Sequence, residues 1–134
     1  MQPHHRIEIP IRLLSEANNF DHWTKKHARK KAQNILIRME WAKLPVLKPP
    51  VTIKLIRQGK RVVDEDNLIG GVFKSVRDCI ANILIPNLAP GQADSSPLIT
   101  WQYDQQIAKS YALIIEIYKL SESSNFVPNN QKMS

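Results

Sequence analysis

Four short stretches in which apolar and polar residues alternate predict β-strands. Such alternation is typical of strands, because successive side chains point to opposite faces of a sheet. The four stretches are residues Arg6–Arg12, Val51–Gln58, Leu98–Tyr103 and Tyr111–Lys119. Pro10 indicates that the first is an edge strand or ends there, since proline cannot donate to a ladder. The intervening DQQIAKS favours a hairpin between the last two strands, although it is longer than the tightest hairpin loops.

Apolar residues spaced three or four apart predict two helices. The first runs from His22 to about Lys43, with Asp21 as a possible cap. The residues on or near its predicted buried side are Trp23, Ala28, Ala32, Ile35, Met39 and Ala42. The second helix opens directly after Asn67 and ends near Ile85. Its predicted buried face consists of Leu68, Val72, Val76, Ile80 and Ile83, and its opposite face of Asn67, Gly70, Lys74 and Asp78.

The order of these elements is strand, helix, strand, helix, strand, strand, which predicts the α/β or α+β class. We expect a single mixed four-stranded sheet with two helices packed on one face. The length of 134 residues fits one domain, which we assign to residues 1–120. The polar, aperiodic segment 121–134 is predicted to be a disordered tail. There is no apolar run near the roughly 20 residues of a membrane span and no signal-peptide pattern, so a cytoplasmic location is expected.

The chain carries a formal net charge of +7, which favours a polyanionic partner, nucleic acid above all. Cations crowd the opening turns of the first helix, where they oppose the helix dipole and therefore cost stability. They include Lys25, Lys26, Arg29 and Lys30. A row of this kind is typical of contact with a phosphate backbone, and it is equally typical of a solvated charged face.

A second basic group, Arg57, Lys60 and Arg61, leads directly into the carboxylates of Asp64, Glu65 and Asp66. These cations suit either a phosphate or salt bridges to the acids. The carboxylates themselves suit a magnesium ion, which prefers oxygen ligands and keeps several waters, or they serve only to cap the following helix. The single cysteine, Cys79, lies on the apolar side of that helix and is predicted to be a buried thiol.

The order of these features resembles the RusA family of Holliday junction resolvases over residues 6 to 119. The resemblance rests on the basic first helix, the sequence DEDN before a second helix, the pair Lys74 and Asp78 on that helix, and Asp94 on the loop that follows. It implies a homodimeric, magnesium-dependent endonuclease, with manganese as a substitute, that cuts four-way DNA junctions. It assigns Asp64, Asp66 and Asp94 to the metal, Lys74 to catalysis and a mostly structural part to Asp78.

The chain departs from the family pattern at two places. The family lysine follows the second acid by four residues, whereas Lys74 follows Asp66 by eight, and Ala93 stands where members commonly carry another acid. These departures leave open an alternative, a protein that binds junction or duplex DNA without cutting it. A third possibility, an RNA-directed nuclease or toxin, is disfavoured because the sequence lacks aromatic residues interleaved for stacking on unpaired bases.

Overall fold

The computed structural model describes residues 2–14, 23–86 and 95–119. These residues form, in chain order, β1 (His5–Ile9), α1 (Trp23–Trp41), β2 (Val51–Gly59), α2 (Glu65–Asn67), a π-helical segment (Leu68–Val72), α3 (Lys74–Leu84), β3 (Ile99–Ile107) and β4 (Ala112–Lys119). The possible cap Asp21, the metal candidate Asp94 and the predicted disordered tail lie outside the described residues.

The four strands form one mixed sheet in the order β1-β4-β2-β3, which confirms the predicted fold class. β2 pairs parallel with β3 and antiparallel with β4, and β4 pairs antiparallel with β1. β1, β2 and β3 therefore run in the same direction, and their carboxyl ends meet at one end of the sheet. β1 lies at an edge of this sheet, as Pro10 predicted.

The predicted hairpin between the last two strands is wrong. β3 extends to Ile107, and β2 lies between β3 and β4 in the sheet. The short connection after β3 crosses the end of β2, where the Ala108 N–H donates to the Gly59 carbonyl over 2.9 Å. The short connection between β3 and β4 favoured a hairpin, because consecutive strands usually pair. In the structure the apolar strand β2 pairs with both of them instead.

One face of the sheet packs against the helices and forms the core. The inward strand residues Val51, Ile53 and Leu55 are fully buried, and α3 contributes Val76 and Ile80 to the same cluster. The predicted buried face of the second helix is thus confirmed at its first four positions, Leu68, Val72, Val76 and Ile80, while Ile83 is half-buried. The predicted burial of Cys79 is confirmed as well.

The predicted buried side of the first helix is wrong. α1 buries only Ile37 and Trp41. The residues expected inside are exposed, Trp23 by 70%, Ile35 by 50% and Met39 by 59%. α1 carries apolar residues on more than one face. Their three-and-four spacing did not show which of these faces packs against the core. No helix in the described ranges is long and apolar enough to span a membrane.

The predicted second helix is interrupted by the π-helical segment. The Phe73 N–H donates to the Leu68 carbonyl over 2.9 Å, five residues back rather than four. Gly70 and Gly71 lie in this segment, and glycine is the weakest helix former after proline. A π turn accommodates about one extra residue and often occurs at functional sites.

Candidate carboxylate and nucleic-acid site

Asp64 caps the helix that follows it. Its backbone is extended, with φ −67° and ψ 160°, and its Oδ1 accepts a hydrogen bond from the Asn67 N–H over 2.9 Å. Its Oδ2 accepts a second bond, also 2.9 Å long, from the Asn67 side-chain amide. Asn67 therefore holds the carboxylate in place from two directions. This geometry supports the capping interpretation for Asp64, and it leaves the remaining lone pairs of both oxygens facing solvent.

Asp66 and Glu65 lie in the first turn of the same helix and are exposed. One or two carboxylates together with water suffice for magnesium, so the oxygens of Asp64 and Asp66 fit the chemistry of that ion. No group of three His, Cys, Asp or Glu side chains suited to a metal occurs among residues 2–14, 23–86 and 95–119. The described carboxylates can therefore supply only part of the predicted three-acid site.

The third predicted ligand, Asp94, lies outside the described residues. Ser95, the first described residue after it, precedes β3. Because β2 and β3 are parallel, β3 begins at the end of the sheet opposite the one where β2 ends and leads to Asp64. The assignment of Asp94 to a shared metal stays a prediction.

Lys74 lies in a shallow depression of about 90 Å³ between α1 and α3. The depression is lined by Lys30, Gly70, Gly71, Lys74, Ser75 and Asp78. Beside it, the Gln33 side-chain amide donates to the Ser75 hydroxyl over 3.0 Å and joins the two helices. The fold thus brings one predicted DNA-binding cation, Lys30, to the predicted catalytic lysine.

The π-helical segment also affects the direction in which Lys74 projects. Eight residues of uninterrupted α-helix turn about 80° beyond two full turns, which would carry Lys74 away from the face of Asp66. One extra residue in the π turn reduces that offset to a small angle. The longer spacing of the lysine in this chain is therefore compatible with a position on the carboxylate face.

The predicted cations of α1 differ in exposure. Lys25 and Lys30 are exposed, and Lys26 and Arg29 are half-buried. No acid occurs in the first turn of α1, so the positive end of its dipole is not compensated there. This end of α1 is a basic surface that lies beside the Lys74 depression.

A basic concavity lies at the carboxyl ends of β1 and β2, and we call it the cationic pocket. It has a volume of about 480 Å³ and is lined by Arg12, Arg57, Lys60, Arg61, Val62, Val63 and Tyr111. Three of these cations were predicted to bind DNA. Arg12 and Tyr111 were missed, because they become neighbours of β2 only through the pairing of β1 and β2 with β4.

Hydrogen bonds fix the loop that forms one wall of this pocket. The Gln105 side chain bonds both main-chain groups of Val63, accepting from its N–H over 3.0 Å and donating to its carbonyl over 2.7 Å. The Arg57 Nη1 donates to the Arg61 carbonyl over 2.7 Å. Gly59 makes room for this side chain, since a Cβ there would lie 3.0 Å from the Arg57 guanidinium nitrogens.

Arg57 is the one buried charged residue of the described core, with 8% of its surface exposed. Burial lowers the pKa of the Arg57 guanidinium, the Tyr111 hydroxyl opposes that effect, and the nearby positive charge of Arg12 adds to it. The Arg57 Nε is buried and has no acceptor among the described residues. A positive charge in this environment is stabilised by an anion.

Comparisons with known proteins give no assignment for this chain, since no family model, curated protein or solved structure matches it. The resemblance to the RusA family thus rests on the motifs of the sequence alone.

Proposed function

We propose that the protein is a magnesium-dependent endonuclease that cuts four-way DNA junctions. The observation that carries the proposal is the position of Asp64 and Asp66 in the chain. They follow the loop of the cationic pocket directly and precede the helix that carries Lys74. Carboxylates between two basic surfaces in the chain combine oxygen ligands for a cation with contacts to phosphate, and metal-dependent phosphodiester hydrolysis uses both.

Each group has a distinct part in this proposal. Asp64, Asp66 and Asp94 would hold the metal, and Asn67 orients the Asp64 carboxylate through its two hydrogen bonds. A magnesium ion held there would supply Lewis-acid chemistry to the scissile phosphate and to the attacking water. Lys74 stabilises the negative charge that develops on the phosphate. The cations of α1, among them Lys25, Lys26, Arg29 and Lys30, contact the backbone of the DNA arms.

The substrate and the assembly state follow from the resemblance to RusA proteins and belong to the same proposal. A four-way junction has two-fold symmetry, so a two-fold symmetric homodimer matches it, with each of its two active sites cutting one strand. Sedimentation of the protein with and without junction DNA tests this assembly.

Nicking of a synthetic four-way junction tests the proposal. We expect nicking that requires magnesium or manganese and that falls at least about a hundredfold in Asp66→Asn. Glu65→Gln is the matched control, because it removes one exposed carboxylate from the same helical turn. Undiminished nicking by Asp66→Asn, or no metal-dependent nicking by the wild-type protein, would contradict the nuclease assignment.

A second candidate function is binding of junction or duplex DNA without cleavage. It is supported by the engagement of both Asp64 oxygens with Asn67 and by the absence of an acid at position 93. A pure binder shifts a junction in a gel equally well with and without magnesium and releases no cut product. Cleaved strands in the same assay rule this candidate out.

A further inference from the structure

We propose that the cationic pocket binds the terminal phosphate of a nucleic-acid strand. The ligand class rests on the proposed function, because it takes the partner to be nucleic acid. The existence of an anion site rests on the pocket itself, whose described lining contains Arg12, Arg57, Lys60 and Arg61 and no carboxylate.

The charge of the pocket favours a terminal phosphate over an internal one. Four cations line the same cavity of about 480 Å³. An internal phosphodiester carries one negative charge, whereas a phosphomonoester carries about 1.5 to 2 at neutral pH and offers three acceptor oxygens. A terminal phosphate therefore neutralises more of this charge and satisfies more of the donors than the backbone of an uninterrupted strand does.

Arg57 gives the pocket a fixed donor at its base. The side chain is more than nine-tenths buried, and its Nη1 is held by the Arg61 carbonyl. Its Nε has no acceptor within the described part of the chain. A buried cation without a counter-charge is costly, and the negative charge of a phosphate in the pocket offsets part of that cost. The cation is ordered before the ligand arrives, so little side-chain entropy remains to be lost on binding.

The other residues of the pocket determine which part of a nucleotide fits. The Arg12 guanidinium lies 4.8 Å from the centre of the Tyr111 ring, and the Lys60 ammonium lies 5.8 Å from it. The ring thus holds two cations in place by cation–π attraction rather than offering a platform for a base. Val62 and Val63 supply an apolar wall, and the volume exceeds that of a phosphate alone, which leaves room for the adjoining sugar.

Binding of short thymidine oligonucleotides, measured by titration calorimetry in EDTA, tests the proposal. The three ligands carry a 5′-phosphate, a 3′-phosphate or no terminal phosphate, and inorganic phosphate serves as competitor. We expect at least one phosphorylated form to bind about tenfold more tightly than the unphosphorylated one, since charge-assisted hydrogen bonds are strong. The preferred form identifies the strand end. Equal affinity for all three oligonucleotides would overturn the proposal.

Two variants locate the effect in the pocket. Arg61→Gln removes one lining cation, and Gly59→Ala retains every charge but presses a methyl group against the Arg57 guanidinium. Both should reduce the tenfold preference to less than about threefold. The control Lys48→Gln removes an exposed charge before the opposite end of β2 and should leave the preference unchanged. If both pocket variants keep the full preference and melt like the wild type, the terminal phosphate binds elsewhere and the proposal fails.

The outcome is separable from that of the nuclease assay. Binding in EDTA does not involve the metal, and Asp66→Asn should retain the terminal-phosphate preference. A preference without junction nicking leaves the pocket in place and removes the endonuclease. Metal-dependent nicking without a terminal-phosphate preference would support the endonuclease and overturn the proposal for the cationic pocket.

Discussion

The two longest helices, α1 and α3, lie on the same face of the sheet but contribute very differently to the core. α3 spans 11 residues and buries five of them, Val76, Cys79, Ile80, Ala81 and Leu84. α1 spans 19 residues and buries only Ile37 and Trp41. The difference indicates that α3 holds the fold together, whereas most of the surface of α1 is available for a partner.

The first turns of α2 and α1 also differ in how much they stabilise their helices. α2 begins with the Asp64 cap and has Glu65 and Asp66 in its first turn, an arrangement that stabilises a helix. α1 has no acid in its first turn and carries Lys25 and Lys26 there. The first arrangement stabilises the start of the helix and places the carboxylates that we propose as metal ligands. The second opposes stability, which is expected where charge is kept for binding a polyanion.

The largest expected effect is a difference between α3 and α1 in how much a substitution lowers the free energy of unfolding. Ile80→Ala in α3 should lower the free energy of unfolding by about 2 to 5 kcal/mol, because it leaves a cavity at a fully buried site. The same change at Ile35 in α1, which is 50% exposed, should cost less than about 1 kcal/mol. Urea unfolding followed by circular dichroism gives both values. Similar losses for the two variants would show that α1 is buried in solution, for example between two copies of the chain.

A smaller effect concerns the affinity of α1 for DNA. Replacing Lys25 and Lys30 together by Gln should weaken duplex DNA binding about tenfold and reduce the slope of log affinity against log salt by about two. The free energy of unfolding should stay the same or rise slightly, because both side chains are exposed and Lys25 opposes the dipole of α1. The control Lys43→Gln removes an exposed cation after the other end of α1, where it pairs with Glu40 over 2.8 Å. An equal loss of affinity in the control would indicate a diffuse charge effect rather than a basic surface at the start of α1.

The contrast between the helices also shows what the sequence could predict. The buried face of α3 was predicted correctly because its apolar residues form one stripe whose other side is polar. The central strand β2 was predicted for a similar reason, since Val51, Ile53 and Leu55 alternate and all three are buried. In α1 the apolar residues Ile35, Ile37 and Met39 lie on several sides, and only tertiary packing selects Ile37 for the core.

The candidate site was only partly predictable for a related reason. Asp64 and Asp66 lie two residues apart in the sequence, so the local pattern sufficed to select them. The cationic pocket depends on the order of the strands, which places Arg12 and Tyr111 beside Arg57 although they are distant in the chain. The predicted hairpin paired β4 with β3. It therefore did not indicate that Tyr111, directly before β4, lies beside β2.

The smallest expected effect tests the contact between the two helices. Cys79 of α3 is 3% exposed, and its Sγ donates a weak hydrogen bond to the Asn34 carbonyl of α1 over 4.0 Å. Burial raises the pKa of the Cys79 thiol above its ordinary value of 9.0, against a smaller lowering by the positive charge of Arg38. The folded protein should therefore react with a thiol reagent at least about tenfold more slowly than the urea-unfolded chain, because the thiolate is the reactive form.

The same burial makes the stability depend on pH. Above the ordinary pKa of the thiol the unfolded chain loses this proton while the folded protein keeps it, so the unfolded state is favoured as pH rises toward the higher pKa of the folded state. Cys79→Ser, which does not titrate in this range, is the matched control. We expect its unfolding free energy relative to wild type to improve between about pH 8 and pH 10. A constant difference, together with rapid labelling of the folded protein, would mean that α1 does not cover Cys79 and that the two helices pack less closely than the Gln33–Ser75 hydrogen bond indicates.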